Sequence, residues 1–504
     1  MSENGLRGRA RDGWRLLRRV AGTPGLPRYL LDQRRRPLPG PAEVVLAMAP
    51  VWDTYAPPIG LGYLAAALRG AGHRVAAVDL NIGLFNAAGD ADRRRWDLQA
   101  GFWTDPQRVE ALHRRHQAPV QALLGRVLAP RPRLVGLSVN HHNRLSSLLL
   151  ARRLRAADPA LQIVFGGPAC FNRRERGGEA FPKDCFDYLV VGEGEQTLVE
   201  LLARHRQGRD VRGLPGVVVN DGRRLSELTP RPPLDLRQVA FPTFEEFDLA
   251  SYRDFRLGLI TGRGCVGRCA FCNDHALMGR FRQRPAEAVV DEIEHHLRRN
   301  HVRRFDLKDL ACNCNVRQLE RLADLLLDRR LRISWESQAI PMMNLRPPLL
   351  RKLRRAGCRT LIYGLEAGSD PVLKGMNKYF TAAEAQQVIR WTAEAGIGAV
   401  VNVMVGFPGE TDRELDQTLA FLARNRAYID SVGCLSTCRV NADSPLHDRR
   451  EEFGVLLPDA PADRARDWRT ADGRNTYEAR RRGALRARRE IRRLGLPIAM
   501  LNLD

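Results

Sequence analysis

Short apolar runs alternate with amphipathic stretches along most of the chain. VVLAMAP, starting at Val44, is unbroken enough to be a strand buried on both faces. LGYLAAALRGAG follows Pro57 and Pro58, repeats its apolar positions at helical spacing and stops at glycine, which predicts a helix. HRVAAVDLN, RLVGLSVN, IVFGGPA and DYLVVGEGE predict further strands, with helical stretches such as SLLLARRLRAA between them. Strands separated by helices predict a parallel, doubly wound α/β sheet over residues 41–205. Ligands of such sheets bind beyond the carboxyl ends of the strands. Those ends are Ser138-Val139-Asn140, Gly166-Gly167-Pro168 and Gly192-Glu193-Gly194-Glu195. Paired glycines let backbone approach a large flat ligand.

A proline-rich linker is predicted over 206–255, ending in VAFPTFEEFDLASY. From 256 to 450 the rhythm resumes. LGLITGRGC, RRFDLKDL, RISWESQ, TLIYGLEAGS and AVVNVMVGFPGE read as strands, with helices such as AVVDEIEHHLRR and AAEAQQVIRWTAEAG between them. About six such units predict a partial (β/α)6 TIM-like barrel, with its site at the carboxyl ends of the strands. Residues 451–504 read as an arginine-rich helical segment, suited to covering that site or meeting a partner. Residues 1–40 form a basic extension. In GWRLLRRVAG, Trp14, Leu17 and Ala21 share one helical face, which suits a membrane surface or docking on the protein itself.

A chain of 504 residues, 44% hydrophobic and 28% charged, is a folded protein of more than one domain. No stretch reaches the roughly 18–20 apolar residues of a membrane span. The N-terminus lacks the apolar core of a secretory signal. Ten cysteines in a chain this long read as reduced thiols plus a metal site, so a cytoplasmic location is expected. The formal net charge of +23 comes mostly from arginine. Arginine is dense in LHRRH, LLARRLR, LRRN and EARRRGALRARREIRRLG alike, without interleaved aromatic residues. The charge therefore reads as solvated helix faces, and a nucleic-acid partner is not expected.

The strongest chemical signal is TGRGCVGRCAFCND, with Cys265, Cys269 and Cys272. The spacing is too tight for two zinc knuckles. It suits three corners of an iron–sulfur cube with one iron left open; a zinc site completed by a distant ligand is the competing reading. The spacing, with Phe271 before the last cysteine, resembles the radical S-adenosylmethionine enzymes. PPIGLGYLAAAL, VGLS, FGGP and VVGEGE, in that order before the triplet, resemble the flavodoxin/Rossmann-like cobalamin (B12)-binding domain that one class of them carries. The resemblance spans residues 41–450.

It implies a [4Fe-4S] cluster on the three cysteines, with S-adenosylmethionine on the open iron. Phe271, Glu366, Gly368 and Ser369 would meet its ribose or amino-acid part, Asn402 and Gly406 would lie near the adenine, and Lys378 of MNK also fits the family pattern. For cobalamin the implied contacts are Trp52, Asp53, Tyr55, Pro58, Ser138, Asn140, Gly166, Gly167, Glu193, Gly194 and Glu195. The loop PVWDTYAPPIG lacks the cobalt-ligating histidine of many cobalamin proteins. His141 and His142 follow a different strand and read as loop residues, which leaves Trp52, Asp53 and Tyr55 to face the lower side of cobalt. Asp309 ends a barrel strand, placed to orient substrate, move a proton or cap a helix. Cys312 and Cys314 read as buried thiols, an intermediate trap or second-cluster ligands. Cys434 and Cys438 stand where the family has a Pro-Tyr-Pro-Gly-Thr-like loop. Cys170, Cys185 and Cys358 read as core.

The implied activity is methylation of an unactivated carbon or phosphorus centre through methylcobalamin and a 5′-deoxyadenosyl radical. Non-methylating cyclisation, ring contraction or oxidation is the alternative, followed by a non-catalytic cobalamin-binding regulator. Methylthiolation is disfavoured, because the N-terminal unit lacks cluster-binding cysteines. The expected partners are a small-molecule, lipid or peptide substrate and an external low-potential electron donor of flavodoxin or ferredoxin type.

Overall fold

The structure is a computed structural model that describes residues 22–33, 40–96, 100–171, 181–459 and 463–503. The expected apolar face of Trp14, Leu17 and Ala21 lies outside the described residues. The helix Leu26–Gln33 docks on the protein itself: Tyr29 Oη donates to Phe247 O at 3.2 Å and accepts from Leu249 N–H at 2.8 Å.

The first sheet comprises β1 (Val44–Met48), β2 (Val75–Asp79), β3 (Leu134–Ser138), β4 (Gln162–Gly166), β5 (Tyr188–Val190) and β6 (Val217–Val219). Its order is β2-β1-β3-β4-β5-β6. All pairings are parallel except β5 with β6. Every residue of β1 is buried, because strands flank it on both sides and helices cover both faces. The order reverses between β1 and β3, which makes their carboxyl ends the ligand crevice of a doubly wound sheet. Strand β6 lies in the segment expected to be linker; three residues between Gly216 and Asn220 are too few for periodicity to reveal. Between β2 and β3 the chain makes a helical excursion that includes Leu80–Ala87, Pro106–Arg115 and Gln117–Leu128. Edge-to-face contacts of Trp96 with Phe85 (5.6 Å) and Trp103 (5.0 Å) hold it together.

The second sheet begins with β7 (Leu257–Leu259). A two-stranded hairpin, β8 (Gly262–Arg263) with β9 (Arg282–Gln283), follows. The sheet continues through β10 (Arg304–Leu307), β11 (Ser334–Ala339), β12 (Cys358–Glu366), β13 (Gly398–Val405) and β14 (Ser431–Thr437). A small hairpin of β15 (Val455–Leu456) and β16 (Arg469–Thr470) precedes β17 (Ile498–Asn502). The order β17-β14-β13-β12-β11-β10-β7 is parallel throughout and open, with β7 and β17 as its edges. The partial barrel thus has seven strands where six were expected. The seventh comes from the arginine-rich C-terminal segment, whose edge strand is half exposed and carries a weak apolar signal. Along β13, buried and half-exposed residues alternate strictly. The outer face packs on helices, and the inner face, which includes Asn402, is half exposed.

Candidate active site

The three cysteines lie in one excursion, residues 264–281, whose base is the β8–β9 hairpin. Its supports come from three directions. From the barrel, Asp309 at the end of β10 accepts from the backbone N–H groups of Thr261 (2.8 Å) and Gly262 (3.1 Å) and from the Thr261 hydroxyl. Asp309 is only 5% exposed, and these contacts use its carboxylate to position the loop. From the far side, Asn377 Nδ2 donates to Arg268 O at 2.8 Å, and Ala270 N–H donates to Met376 O at 2.9 Å.

The third support is the N-terminal domain. Arg263 and Arg282 sit directly opposite each other on the hairpin, an unfavourable pairing for like charges. Glu193 lies between them, accepting from Arg263 Nη1 at 2.7 Å and from Arg282 Nη1 at 2.8 Å. Glu195 pairs with Arg263 as well. Burial would raise the Glu193 carboxyl, but the Arg282 and Arg263 hydrogen bonds hold it below the ordinary carboxylate range. Glu193 and Glu195, expected to face cobalamin, form an interdomain latch under the cysteine loop. Gly194 starts the following helix, and a Cβ there would lie 3.0 Å from Leu64 Cδ2, so it is a packing glycine.

Within the loop, Gly267 N–H donates to Cys265 Sγ at 3.2 Å, and Cys314 Sγ lies 4.0 Å from the same sulfur. That neighbour lowers the Cys265 thiol pKa, whereas burial raises those of Cys269 and Cys272. A Cβ added at Gly267 would stand 3.4 Å from Cys265 Sγ and 3.9 Å from Cys269 Sγ, so the Gly267 backbone lies beside both sulfurs. Among the described residues no three His, Cys, Asp or Glu side chains converge on a single metal-ion point. Thiolates at separate corners of a cluster bind different irons and need no such convergence. Three free, half-buried thiols on one short excursion therefore fit a [4Fe-4S] cluster.

Beside the loop, Lys378 Nζ donates to Gly364 O at 2.9 Å, lies 3.7 Å from Glu366 Oε1 and stands 5.3 Å over the Phe271 ring. Glu366 ends β12 with φ +66°, a conformation non-glycine residues rarely adopt. Phe271, Glu366 and Lys378 are thus brought together, with Asn402 on the adjacent strand. Three other expected contacts are not. Gly368 N–H donates to Thr418 Oγ1 at 3.0 Å, and Ser369 Oγ donates to Gln417 Oε1 at 2.6 Å, both on the helix behind the sheet. A Cβ on Gly368 would lie 2.4 Å from Phe421 Cβ, and one on Gly406 2.2 Å from Arg480 Cγ. Gly368 and Gly406 are glycines because the chain packs against them from outside. Buried Arg480 of the C-terminal segment stacks at 3.8 Å on Trp468, so that segment backs the β13 loop.

At the edge of the first sheet, Trp52 and Tyr55 are 38% and 40% exposed, unusual for large rings at a domain interface. Arg253 stands 4.5 Å over the Tyr55 ring. Buried Asn81 staples this loop: its Oδ1 accepts from Trp52 N–H at 3.0 Å and Trp96 Nε1 at 2.8 Å, and its Nδ2 donates to Asp53 O at 3.1 Å. Asp53 accepts from Tyr55 N–H at 2.7 Å, and Pro58 caps the helix Ile59–Gly70. Asn143 does for β3 what Asn81 does for β1, donating to Ser138 O at 2.9 Å and accepting from Asn140 N–H at 2.7 Å. Asn140 accepts from His142 and Asn143 N–H, so its side chain is committed to the turn. Gly167, at φ +97°, brings Ser138 Oγ and the Val139 backbone within 3.2 Å of where its Cβ would be, and Gly166 faces Val190. Beyond β5, a Cβ on Gly192 would meet nothing within 4 Å. Half-exposed rings beyond β1 and unobstructed backbone at Gly192 beyond β5 fit a large flat ligand.

Sequence reasoning missed Asn81, Asn143, Arg263 and Arg282. The two asparagines sit in ordinary strand-end sequence, and the arginines are lost among 81 Lys and Arg residues. Cys170, Cys185, Cys312, Cys358 and Cys438 are buried; Cys434 is half-buried on β14.

Residues 259–422 match the family model described as the radical SAM superfamily. An uncharacterized methyltransferase of Pyrococcus horikoshii is 23% identical over 295 residues, 58% of this chain; the chain spans 64% of that relative's length. The radical S-adenosylmethionine methyltransferase TsrM of Kitasatospora setae, solved with cobalamin and a [4Fe-4S] cluster, superposes with a TM-score of 0.61 at 20% identity, covering 84% of this chain and 82% of that one. The cobalamin-dependent S-adenosylmethionine radical enzyme OxsB, solved with aqua-cobalamin, gives a TM-score of 0.67 at 17% identity, covering 87% and 66%. No helix among the described residues is long and apolar enough to cross a membrane. The chain therefore contains a radical SAM domain, and its two-domain fold is the one seen in TsrM and OxsB.

Proposed function

We propose that the protein is a cobalamin-dependent radical SAM methyltransferase acting on an unactivated carbon or phosphorus centre. The observation that carries this reading is that the carboxyl edges of the two sheets face each other. Glu193 beyond β5 grips the base of the cysteine loop, and His141 beyond β3 lies within electrostatic reach of Arg439 beyond β14. A ligand in the crevice of the first sheet would then look across at the cluster loop. Cys265, Cys269 and Cys272 would hold the cluster. Phe271, Glu366, Lys378 and Asn402 would hold S-adenosylmethionine. Trp52, Tyr55, Ser138 and the glycines beyond β4 and β5 would border cobalamin. When bound, the cluster and S-adenosylmethionine supply a carbon radical by reductive cleavage, and cobalamin supplies the methyl group. The chain's own part is to orient these groups and keep them apart from water.

Anaerobic incubation of reconstituted protein with cobalamin, S-adenosylmethionine and a low-potential reductant tests this. S-adenosylhomocysteine and 5′-deoxyadenosine should both form with a suitable acceptor, and both should vanish in Cys269→Ala. Deoxyadenosine without S-adenosylhomocysteine would replace methylation by a cyclisation, ring contraction or oxidation. Neither product, across an acceptor panel and with cluster bound, would sink the enzymatic reading.

A further inference from the structure

Cys314 has no part in the triplet and no role in the function proposed above, yet the fold brings it to the cluster loop. Its Sγ lies 4.0 Å from Cys265 Sγ. The turn that carries it, Cys312–Cys314, is pinned by Asn313, which is 2% exposed. Asn313 Nδ2 donates to Ile340 O at 2.8 Å, and its Oδ1 accepts from Ile340 N–H at 2.9 Å. Asn315 then caps the helix Val316–Asp328 by accepting from Gln318 N–H. Cys314 is thus held from both sides against the excursion. The ligand sulfurs differ in what surrounds them. Cys265 receives Gly267 N–H as well as the Cys314 thiol, whereas Cys272 itself points its thiol at Asp274 Oδ2, 3.3 Å away.

We propose that Cys314 is a positioning residue for the cluster: its S–H donates a hydrogen bond to the Cys265 thiolate and makes that corner easier to reduce. The inference rests on the reading that the triplet binds a [4Fe-4S] cluster. Hydrogen bonds to ligand sulfurs are among the factors that set cluster potentials, because they withdraw charge and stabilise the more negative, reduced state. Bonds to a charged acceptor are the stronger kind. No covalent step is involved, and Cys314 stays off the iron.

The test compares wild type, Cys314→Ala and Cys314→Ser after anaerobic reconstitution. Iron and sulfide content and the midpoint potential are read by chemical analysis and a titration followed by electron paramagnetic resonance. Full iron and sulfide in all three, a more negative midpoint in Cys314→Ala and a midpoint restored toward wild type by the serine hydroxyl are expected. An unmoved midpoint in Cys314→Ala overturns the proposal, as does an equal shift in both variants, which would report lost volume. Loss of iron in Cys314→Ala alone would make Cys314 a ligand and also overturn it. Wild type that takes up no cluster overturns the underlying reading and this one together.

Discussion

Two sets of charges cross the same domain interface, and they differ in their access to water. Arg284 and Glu292 of the barrel have side chains 1% and 0% exposed and meet Tyr63 of the N-terminal domain. Arg284 Nη1 donates to Glu292 Oε2 at 2.5 Å, Ile260 O at 2.9 Å and Tyr63 Oη at 3.0 Å. Burial raises the Tyr63 hydroxyl pKa, so it stays protonated. The Glu193 latch keeps side-chain exposures of 16% at Glu193, 11% at Arg263 and 21% at Arg282. A dry pair costs much to form and more to half-remove; a damp one can be broken and remade at modest cost. The dry set fixes where the two domains meet. The damp set grips the one excursion that carries the cysteines, so the rigid joint and the adjustable joint serve different parts of the interface.

The comparison breaks most visibly at Arg284. Arg284→Ala removes the guanidinium from fully buried Glu292, and unfolding by denaturant should show a loss of about 3–5 kcal/mol. Replacing the set together, with Arg284→Met, Glu292→Leu and Tyr63→Phe, should recover most of that, because no charge is then stranded. If the single variant loses no more than variants of the latch do, the distinction between dry and damp sets is wrong.

Glu193→Gln sharpens the other side. It removes the charge between two arginines that face each other across the hairpin, and it should cost about 1–3 kcal/mol. Hydrogen exchange should quicken at residues 262–283 while the rest of the barrel stays protected. Uniform loss of protection would mean that the latch holds the whole domain. The wild-type latch also has a pH signature. The Glu193 carboxyl is held below its ordinary range, so its contribution is complete above about pH 4.5 and fades as pH falls through the lowered value.

The strands of both sheets were legible because their apolar runs are long and their ends carry glycine or polar residues. The three-residue β6 and the half-exposed β17 were not, since neither offers a period to read. Within the site, thiols at fixed spacing announced themselves, because few other arrangements use them. Glycines and carboxylates at strand ends were read by analogy, and there the reading divided. Glu366 and Lys378 meet beside the cysteine loop, whereas Gly368 and Gly406 are small for the sake of Phe421 and Arg480. Only tertiary packing separates a glycine that admits a ligand from one that admits a neighbouring helix. Glu193 shows the same for charge: its partners lie 70 and 89 residues away, on strands two residues long.

Glu410 extends the comparison to a buried carboxylate without a guanidinium. It closes the loop beyond β13, where Oε2 accepts from Gly406 N–H, and its buried Oε1 has no partner among the described residues. Burial pushes its carboxyl up to about 7, against the pull of that hydrogen bond. A folded value above the ordinary one stabilises the protein while the group is protonated. The contribution is therefore complete below about pH 4.5 and is lost as pH rises through 7. Between pH 6 and 8 the wild-type unfolding free energy should fall by about 1 kcal/mol from this group, and Glu410→Gln should flatten that slope. Unfolding midpoints measured across this range decide it, and equal slopes in the two proteins would mean that the loop admits water or a cation to the carboxylate. A flattened slope would complete a series in which a carboxylate is tolerated by dry pairing at Glu292, by damp pairing between two arginines at Glu193 and by holding a proton at Glu410.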